Sequence, residues 1–520
     1  MQVRERGRTV EFITDLTTQG INFLSSLFIF VVGLFALLIV IVFIRDISQT
    51  RDAIRRNYPV IGRFRYVFSS LGEFFRQYFF AMDREEMPFN RAEREWVYKS
   101  ANGKDNTMAF GSTKNLTPPG TPLFVNTTFP TLDEHAMQPP SITIGPDCPH
   151  PYEAKSLINI SAMSYGALSK PAIRALSRGA KLAGCWLNTG EGGLAPYHLE
   201  GGCDLVFQIG TAKYGVRTPD CKLDVTKLCE IASYPQVRMF EIKISQGAKP
   251  GKGGILPGAK VTSEIAQIRG IVPGADSLSP NRHPEISTTG ELLDFITQVR
   301  AVTGKPTGFK MVIGEDDGLK ELCREIHQRG VCSAPDFITI DSGDGGTGAA
   351  PMPLMDDVGL PIKESLPMVV DILTQYGLRD RIRVIASGKL ITPSGVAWAL
   401  CTGADFINSA RGFMFALGCI QALKCNRNTC PTGITTHDKR LQKGLNPVEK
   451  AVKIKNFVDK IHYGTALIAH ACGVPHQRAL TRAHCRIVQP DGKSTLMHTL
   501  YPVPNVLPKH YQPVTEPDYF

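Results

Sequence analysis

Cysteine is scarce in this sequence of 520 residues, and so is an excess of charge of one sign. The 13 cysteines are an odd number at low density, whereas a secreted disulfide scaffold is short and rich in cysteine. We therefore expect reduced thiols. The 58 basic and 48 acidic residues leave a net charge of +10, which fits a membrane surface or an anionic ligand. A nucleic-acid partner is not expected.

The chain is not poor in hydrophobic residues, and its composition is not repetitive. The chain is 43% hydrophobic and 20% charged, with 48 glycines and 36 prolines. This composition excludes an intrinsically disordered chain, a collagen and a coiled coil. The length predicts about two to four domains.

Charge is absent from one long stretch near the N-terminus, residues 21–44. A helix of this length, at about 1.5 Å per residue, spans a hydrocarbon core of about 30 Å. A signal peptide has a shorter apolar region of about 7–15 residues that ends at a small-residue cleavage site, and a buried core helix is the other alternative. The length of the stretch favours a transmembrane helix that anchors the chain in membrane lipid.

Arginines on the two sides of this stretch predict its orientation, because the more basic flank stays in the cytoplasm. Three precede the stretch and six follow it: Arg4, Arg6 and Arg8, then Arg45, Arg51, Arg55, Arg56, Arg63 and Arg65. We therefore expect a single-pass protein of the inner (cytoplasmic) membrane, with the part after the helix in the cytoplasm. The segment Tyr66–Phe80, with phenylalanines at helical spacing, fits either a helix in the membrane interface or a helix packed on the next domain.

From residue 157 onward, short β-branched runs alternate with amphipathic helical stretches. This alternation predicts a parallel sheet, and eight such units fit a (β/α)₈ TIM barrel of the α/β class. The predicted strands are Leu157–Ala162, Cys185–Asn188, Leu205–Ile209, Met239–Ile244, Gly308–Ile313, Phe337–Asp341, Arg383–Ala386 and Asp405–Asn408. Predicted helices between them include Lys170–Leu182, Glu291–Val302, Leu319–Arg329 and Pro393–Cys401.

A doubly wound open sheet is the competing fold, because two Gly-rich runs match the dinucleotide-binding fingerprint in spelling. These runs are Gly190–Ala195 and Gly343–Gly348. A Rossmann turn needs a helix directly after it, but Pro196 follows the first run and Ala-Ala-Pro-Met-Pro follows the second. We expect neither run to open a helix and favour the barrel. The predicted organisation is an N-terminal flank (1–20), a transmembrane helix (21–44), a juxtamembrane segment and lead-in (45–150), the barrel (151–475) and a C-terminal tail (476–520).

Polar and Gly-rich segments follow most of the predicted strands, at the C-terminal rim where barrel enzymes bind their substrates. Free N–H groups in such segments bind phosphate oxygens, and the loops after strands 7 and 8 are the usual phosphate site. A phosphate and a planar group indicate FMN, whose reduced form a strand-end lysine would stabilise. A barrel aldolase with a Schiff-base lysine is the competing interpretation. The predicted cofactor contacts are Met163, Ser164, Asn188, Thr189, Lys243, Gln246, Lys310, Ser342, Gly343, Asp344, Gly345, Gly346, Thr347, Gly388, Lys389, Ser409, Ala410 and Arg411.

Three cysteines lie close together beyond the last predicted strand, in the spacing C-x₅-C-x₄-C. They are Cys419, Cys425 and Cys430. Three neighbouring thiolates suit an iron–sulfur cluster, and three ligands rather than four indicate a three-iron type. Structural zinc usually takes four ligands in paired spacing, and three ordinary buried cysteines are the remaining alternative.

Five long motifs resemble the FMN-binding synthase domain of glutamate synthase and occur in that family's order over roughly residues 150–470. They are INISAMSYGALS (158–169), NTGEGG (188–193), EIKISQGAKPGKGGILPGAKV (241–261), DSGDGGTGAAP (341–351) and GCIQALKCNRNTCPTG (418–433). The resemblance implies a (β/α)₈ barrel that binds FMN on its C-terminal rim and a [3Fe-4S] cluster on the three cysteines. It also implies that 2-oxoglutarate and ammonia form 2-iminoglutarate, which reduced flavin converts to glutamate.

The positions of side chains in these motifs imply their roles. Glu191 lies in the substrate pocket, while Lys243, Gln246 and Lys249 contact flavin or substrate. Lys260 is a candidate contact for the distal carboxylate of the substrate. Lysines beside a 2-oxo diacid make electrostatic sense, because that substrate carries two carboxylates. The catalytic candidates are Glu191, Lys243, Gln246 and Lys249, and the substrate-binding candidates are Glu191, Gln246, Lys249 and Lys260.

The resemblance does not extend to the glutaminase domain or to the C-terminal β-helical domain of glutamate synthase. We therefore expect the amino donor to be free ammonia, another protein's product, or no donor at all, and a ferredoxin-like carrier is a candidate electron donor. Two other functions fit the sequence. One is a related flavin oxidoreductase for a different oxo, hydroxy or N-methylated amino acid, and the other is a non-catalytic electron-transfer subunit at the membrane.

Overall fold

A computed structural model describes residues 2–507. These residues form two compact units, one up to Asn90 and one from Arg91 onward. Met1 of the predicted N-terminal flank and residues 508–520 of the predicted C-terminal tail lie outside the described residues.

The regular structure of the first unit is helical. Its long helix, Gln2–Ser48, contains the predicted transmembrane stretch. The part Asp15–Ser48 is long and apolar enough to cross a membrane, a test that an N-terminal signal sequence also passes. Shorter helical segments follow at Ala53–Asn57, Ile61–Arg63, Phe64–Phe75 and Arg76–Phe80. The segment with phenylalanines at helical spacing is therefore helical.

The second unit is built on a closed barrel of eight parallel strands, numbered β1 to β8 in chain order. Each strand pairs with its neighbours in sequence, and β8 pairs with β1 to close the ring. The strands are β1 (Ile158–Ile160), β2 (Leu187–Asn188), β3 (Leu205–Ile209), β4 (Val237–Lys243), β5 (Thr307–Val312), β6 (Phe337–Asp341), β7 (Arg383–Ser387) and β8 (Phe406–Ser409). The predicted TIM barrel is confirmed, and the open sheet is wrong.

The barrel strands are rich in apolar residues because both faces of each strand are covered. Every residue of β3 and β6 is buried. An antiparallel hairpin, Ile142–Ile144 with Tyr152–Ala154, contributes to one apolar core with Trp186, Phe337 and Phe406. Because these core residues lie at or just before the starts of their strands, the hairpin closes the N-terminal end of the barrel, opposite the C-terminal rim.

Helices surround the barrel and begin and end at residues suited to those positions. Ser169 caps the helix Lys170–Ala183, and Gly184 ends it in the left-handed conformation. Thr288 and Glu291 form a capping box at the start of the helix Thr289–Thr303. The other helices are Arg91–Ala101, Val225–Ser233, Ser263–Arg269, Thr289–Thr303, Asp317–Arg329, Ile362–Gln375, Pro393–Thr402, Arg411–Leu417, Lys439–Gln442, Pro447–Ala471 and Met497–Leu500.

Two short helices correct the expectation that neither Gly-rich run opens a helix. The helix Pro196–Leu199 follows the first run directly, and Met352–Asp357 follows the second. Proline is tolerated in the first turn of a helix, because the N–H groups there have no partner within the helix. The prolines were therefore a poor argument against helices, although both helices are too short for a Rossmann unit.

The second unit begins well before the predicted start of the barrel domain at residue 151. The helix Arg91–Ala101 packs on the long helix Pro447–Ala471, where Trp96 and Phe457 meet edge to face with ring centroids 6.2 Å apart. A small antiparallel sheet of Pro122–Phe124, Cys485–Val488 and Ser494–Leu496 also joins the lead-in to the C-terminal region. Two further short strands, Ile255–Leu256 and Ser277–Leu278, pair antiparallel in the connection between β4 and the helix Thr289–Thr303.

The buried carboxylate of Asp336, just before β6, provides a test of the fold. It lies 2.9 Å from Arg300 and 2.9 Å from Arg381, and it accepts a hydrogen bond from the Thr307 N–H at 2.8 Å. We expect Asp336→Ala to lower the free energy of unfolding by about 3–5 kcal/mol in urea denaturation, because it removes the buried partner of two largely buried arginines. Asp316→Ala, which removes a surface pair with Lys320, should cost less than about 1 kcal/mol. Equal losses would contradict the structural role of Asp336.

Candidate active site

An ion pair joins the loop after β2 to the end of β4 on the C-terminal rim. Nζ of Lys243 lies 3.0 Å from Oε1 of Glu191. The glutamate side chain fits between Gly210 and Gly254, because a Cβ at these glycines would lie 2.6 Å from its Cβ and 2.3 Å from its Oε1. The structure therefore brings two predicted catalytic residues together, and a side chain at either glycine would take the space of the glutamate.

The environment of Glu191 keeps its carboxyl group ionised. Burial by itself would raise the pKa, but the charges of Lys243, Lys249 and Arg269 outweigh this effect and hold the pKa of Glu191 below its usual value. Its second oxygen, Oε2, is buried and accepts no hydrogen bond from any residue in the described part of the chain. A buried carboxylate oxygen of this kind is a ready acceptor for a donor on a ligand.

Lys249, another predicted catalytic residue, lies near the same pair and is buried. Burial and the charge of Lys243 lower the pKa of Lys249 to about 8, while Glu191 acts in the opposite direction. The negative charge of Glu191 does not fully compensate the positive charge of the buried Lys249 ammonium group. An anion bound next to it would stabilise the charged form.

A second ion pair links β5 to β6 on the same rim. Lys310 is in register with Lys243 on the neighbouring strand, and its Nζ lies 2.9 Å from Oδ2 of Asp341. Asp341 also accepts hydrogen bonds from the Gly247 N–H (2.9 Å) and the Ser387 hydroxyl (2.8 Å). Burial opposes the charge of Lys310, but Asp341 outweighs it and raises the pKa of this lysine. A Schiff-base lysine needs a neutral amine, so this environment does not favour the aldolase interpretation for Lys310.

Arg269 belongs to the site but was missed by the sequence analysis. Its Nη2 donates to the Ser164 hydroxyl (3.3 Å) and to the carbonyl of Tyr165 (3.2 Å), and its charge acts on Glu191. It ends the short helix Ser263–Arg269 in the long connection after β4. Nothing in the sequence indicates this role, because no local pattern marks a residue that reaches the rim from such a connection.

Glu241 was missed as well, although a signal was present. This buried carboxylate accepts hydrogen bonds from Asn188 (2.8 Å), Gln208 (2.7 Å) and Thr339 (2.6 Å) inside the barrel. It precedes Lys243 by two residues in β4, so both side chains point to the same face of the strand. A glutamate in the middle of a buried strand is itself unusual, because such a charge needs partners.

The loops after β4, β6 and β8 are joined through predicted cofactor contacts. Oε1 of Gln246 accepts a hydrogen bond from Lys243, and its Nε2 donates to the Thr347 hydroxyl at 3.4 Å. Nη2 of Arg411 donates to the carbonyl oxygen of Thr347 at 2.5 Å. These three predicted residues therefore lie together, next to the Glu191–Lys243 pair.

The loops after β6 and β7 meet through charge and close packing. Lys389 lies 2.7 Å from Asp344, whose carboxylate also accepts a hydrogen bond from Ser342. A Cβ on Gly388 would lie 2.4 Å from the Ser342 Cβ. Three further predicted contacts on the loop after β6 are Gly343, Gly345 and Gly346, which pack against Gly359, Ser342 and Arg411 respectively. Two others, Ser409 and Ala410, lie at the end of β8 and directly precede the helix Arg411–Leu417.

The loops after β1 and β2 are also packed against each other. A Cβ on Gly190 would lie 2.5 Å from the backbone nitrogen of Ser164, next to Met163. Asn188 accepts a hydrogen bond from the Gly190 N–H at 3.0 Å, and the Thr189 hydroxyl donates to the carbonyl of Gly190 at 3.1 Å. These predicted cofactor contacts support the loop that carries Glu191, and their role toward a cofactor stays a prediction.

The three cysteines lie on one irregular loop after the helix Arg411–Leu417. Sγ of Cys419 accepts a hydrogen bond from the Gln421 N–H at 3.5 Å, and Sγ of Cys430 lies 3.3 Å from the Thr432 hydroxyl. Within residues 2–507, no three His, Cys, Asp or Glu side chains converge as metal ligands. The loop holds three non-glycine residues in the left-handed conformation, Gln421, Leu423 and Asn428.

The thiols of this loop differ in their ionisation. Burial raises the pKa of Cys419. Burial also acts on Cys430, but hydrogen bonds from Thr432 and Thr435 outweigh it and lower the pKa of this thiol. The Cys430 thiolate is therefore stabilised by neighbouring donors, as a metal-binding cysteine requires.

Lys260 lies beside this cysteine loop. Its Nζ donates to the carbonyl oxygens of Ala167 (2.7 Å) and Cys425 (3.2 Å). Burial lowers the pKa of Lys260 to about 8, while Cys425 and Cys430 act to raise it. The predicted role of Lys260 at the distal carboxylate of a substrate stays a prediction, since its hydrogen bonds in the structure go to these two carbonyls.

Comparisons with known proteins identify the family. Residues 113–490 match the model of the conserved region in glutamate synthase. The chain belongs to the glutamate synthase family. It is 41% identical over 509 residues to the glutamate synthase large subunit-like protein YerD of Bacillus subtilis (strain 168), an alignment that covers 90% of this chain and 96% of that one.

Other members of the glutamate synthase family are matched over part of their length. The archaeal-type glutamate synthase (NADPH) of Dehalococcoides mccartyi is 33% identical over 301 residues, which cover 58% of this chain and 57% of that protein. The chain thus spans little more than half of this relative but nearly all of YerD. Family membership confirms the predicted resemblance and the predicted class, an oxidoreductase of the glutamate synthase type.

The pKa of Lys249 provides a test of the electrostatics in this site. Removing a like charge with Lys243→Met should raise the pKa of Lys249 above about 8, and removing the opposite charge with Glu191→Gln should lower it. Competitive labelling of the amine with acetic anhydride across pH, followed by peptide mass spectrometry, measures both shifts. Lys181→Met on an exposed helix position should leave the pKa unchanged. Shifts in the same direction for the first two variants would contradict the arrangement.

Proposed function

We propose that this chain is a membrane-anchored oxidoreductase that uses FMN and a [3Fe-4S] cluster to reduce 2-iminoglutarate, formed from 2-oxoglutarate and ammonia, to glutamate. The observation that carries the proposal is the buried group of Glu191, Lys243, Lys249 and Arg269. It combines one ionised carboxylate that has a free acceptor oxygen with three cations. An imino diacid carries the complementary groups, namely a nitrogen that donates and two carboxylates.

The residues of the chain would bind such a substrate by charge. Lys249 and Arg269 are buried cations that an anionic carboxylate would compensate. Oε2 of Glu191 would accept a hydrogen bond from the imino nitrogen and so orient the carbon next to it. Because Lys243 neutralises the other oxygen of Glu191, the carboxylate would stay ionised and would hold a proton on the substrate nitrogen rather than remove it.

The rim also suits FMN. Lys243 and Lys310 occupy adjacent positions on neighbouring strands, and Arg411 and Lys389 add cations from the loops after β7 and β8 that usually bind phosphate in this fold. We propose that Ser164, Lys310, Ser342, Gly388, Ser409, Ala410 and Arg411 are among the residues that would hold FMN. When bound, this cofactor supplies the hydride for reduction of the substrate carbon.

The cysteine loop supports the proposed cluster through its donors and its backbone. Hydrogen bonds to the sulfurs of Cys419 and Cys430 are a feature of iron–sulfur ligands. Left-handed non-glycine residues cost free energy and persist where a functional arrangement requires them. The cation of Lys260 next to Cys425 would favour a negatively charged cluster.

The location and partners of the enzyme are part of the proposal. The apolar helix in the first unit would anchor the chain as a single-pass protein of the inner membrane, with the barrel in the cytoplasm. The amino group would come from free ammonia or from another protein, and a ferredoxin-like carrier would deliver electrons through the cluster.

Anaerobic reoxidation of the reduced flavin tests the substrate. The purified protein, reduced with dithionite, should be reoxidised by 2-oxoglutarate with ammonium and not by either compound alone. Glu191→Gln should slow this reaction by about tenfold to a hundredfold, because a hydrogen bond to a charged group contributes about 1.5–3 kcal/mol. The control Glu315→Gln alters an exposed glutamate after β5 and should have no effect.

Two results would overturn parts of this proposal. Reoxidation by a different oxo acid, with 2-oxoglutarate inactive, would exclude the glutamate assignment and favour a related flavin oxidoreductase. A colourless protein after anaerobic purification would exclude both cofactors.

Substitution of one cysteine tests the cluster separately. Cys425→Ser should remove bound iron, measured by elemental analysis and by the iron–sulfur absorption, while FMN stays bound. The control Cys332→Ser removes an exposed thiol from elsewhere in the chain and should retain iron. Unchanged iron in Cys425→Ser would show that the assignment of this ligand is wrong.

A further inference from the structure

The helical segment Phe64–Phe80 in the first unit exposes a row of large apolar side chains. In the helix Phe64–Phe75 they recur at intervals of three and four residues, the spacing of a single helix face, and the turn Arg76–Phe80 adds two more. We call this row the apolar stripe. Its members are Phe64 (55% exposed), Val67 (50%), Phe68 (67%), Leu71 (41%), Phe79 (69%) and Phe80 (76%).

Exposure of so many large side chains to water is unfavourable. Removing such side chains from water is favourable, and contiguous apolar patches of this kind mark sites of interaction with proteins or membranes. The stripe therefore needs a partner, and three further features of the first unit indicate which partner it is.

First, the stripe begins at the level where the long apolar helix ends. Arg63, directly before Phe64, forms an ion pair of 2.6 Å with Asp46, and the Val60 N–H donates to the same carboxylate at 3.1 Å. Asp46 lies two residues beyond Ile44, the last residue of the uncharged stretch, which is a rise of about 3 Å. The chain thus folds back to the end of the long helix before the stripe starts.

Second, internal contacts hold the connection between the long helix and the stripe, residues 49–63, in this arrangement. Asp52 caps the short helix Ala53–Asn57 and accepts a hydrogen bond from the Tyr66 hydroxyl at 2.5 Å. The backbone of Gly62 packs on that of Ile54, since a Cβ at Gly62 would lie 2.9 Å from the Ile54 carbonyl oxygen. These contacts tie the first turns of the stripe helix to the connection.

Third, the charges around the stripe complement anionic lipid. Arg55 and Arg56 lie in the connection, and Arg65 lies beside the first residue of the stripe. Arginines near an anionic membrane surface strengthen binding to that surface. Long basic side chains can also keep their charge at the headgroups while their stems cover apolar surface.

We infer that the apolar stripe lies in the interface of an anionic lipid bilayer, with the segment Phe64–Phe80 along the membrane surface. The inference rests on the membrane anchoring proposed above and adds a second lipid contact to it. An interfacial helix buries its apolar face about 5–10 Å into the boundary between headgroups and acyl chains. The Asp46–Arg63 pair sets the start of the segment at this depth.

Quenching of tryptophan fluorescence by brominated lipids tests the inference on the full-length chain. Phe68→Trp places the probe in the stripe, and the matched control Ser69→Trp places it one residue further, about 100° around the helix and outside the stripe. Each variant is reconstituted in vesicles of phosphatidylcholine and phosphatidylglycerol, and the signal of the unsubstituted protein is subtracted. Bromine near the headgroups should quench Phe68→Trp at least about twofold more than Ser69→Trp, because only the first probe enters the interface.

Flotation of the same vesicles separates failure of the inference from failure of the anchor. A chain that floats with the vesicles but shows equal quenching of the two probes, or no quenching of Phe68→Trp, retains its anchor and overturns the interfacial stripe. A chain that does not float overturns both the anchor and the stripe. Flotation with selective quenching of Phe68→Trp supports the inference.

Discussion

The site depends on a buried ion pair whose two members have few other partners. Moving Glu191 and Lys243 out of water costs several kcal/mol for each ion, and their attraction offsets this cost only in close geometry. Lys249 and Arg269 then add positive charge that the carboxylate cannot balance. These four side chains therefore carry more positive than negative charge. Such fixed charges are oriented before a ligand binds, which is the arrangement that enzymes use to stabilise charge during a reaction.

Close contacts between the loops explain why glycines are concentrated on the rim. A Cβ on Gly247 would lie 2.3 Å from the Ser342 carbonyl oxygen, and one on Gly343 would lie 2.4 Å from the carbonyl oxygen of Gly359. The loops touch backbone to backbone, and this close approach lets Asp341 accept a hydrogen bond from the loop after β4. At these positions glycine is required for contact between loops, whereas the sequence analysis expected it to admit a ligand.

Features that depend on local sequence were predictable, and features that depend on tertiary contacts were not. The strands β3 and β6 have the predicted bounds, because buried parallel strands are short apolar runs with clear ends. Glu191 and Lys243 lie at or near the ends of such runs, and the family motifs implied their roles. Arg269 was not found, because the long connection after β4 brings it to Ser164 from a distant part of the sequence. Lys260 was assigned to the substrate on its motif alone, although its hydrogen bonds lead to the cysteine loop.

That long connection gives the two parts of the site a common support. Near one end, Arg269 contacts the loop after β1 and acts on Glu191. Nine residues earlier, Lys260 reaches the carbonyl of Cys425, and the neighbouring Ala259 accepts a hydrogen bond from Asn428 at 3.1 Å. Because one short segment touches both the loops around Glu191 and the cysteine loop, displacement of either would be transmitted to the other. The connection therefore fixes the position of the cysteine loop relative to Glu191.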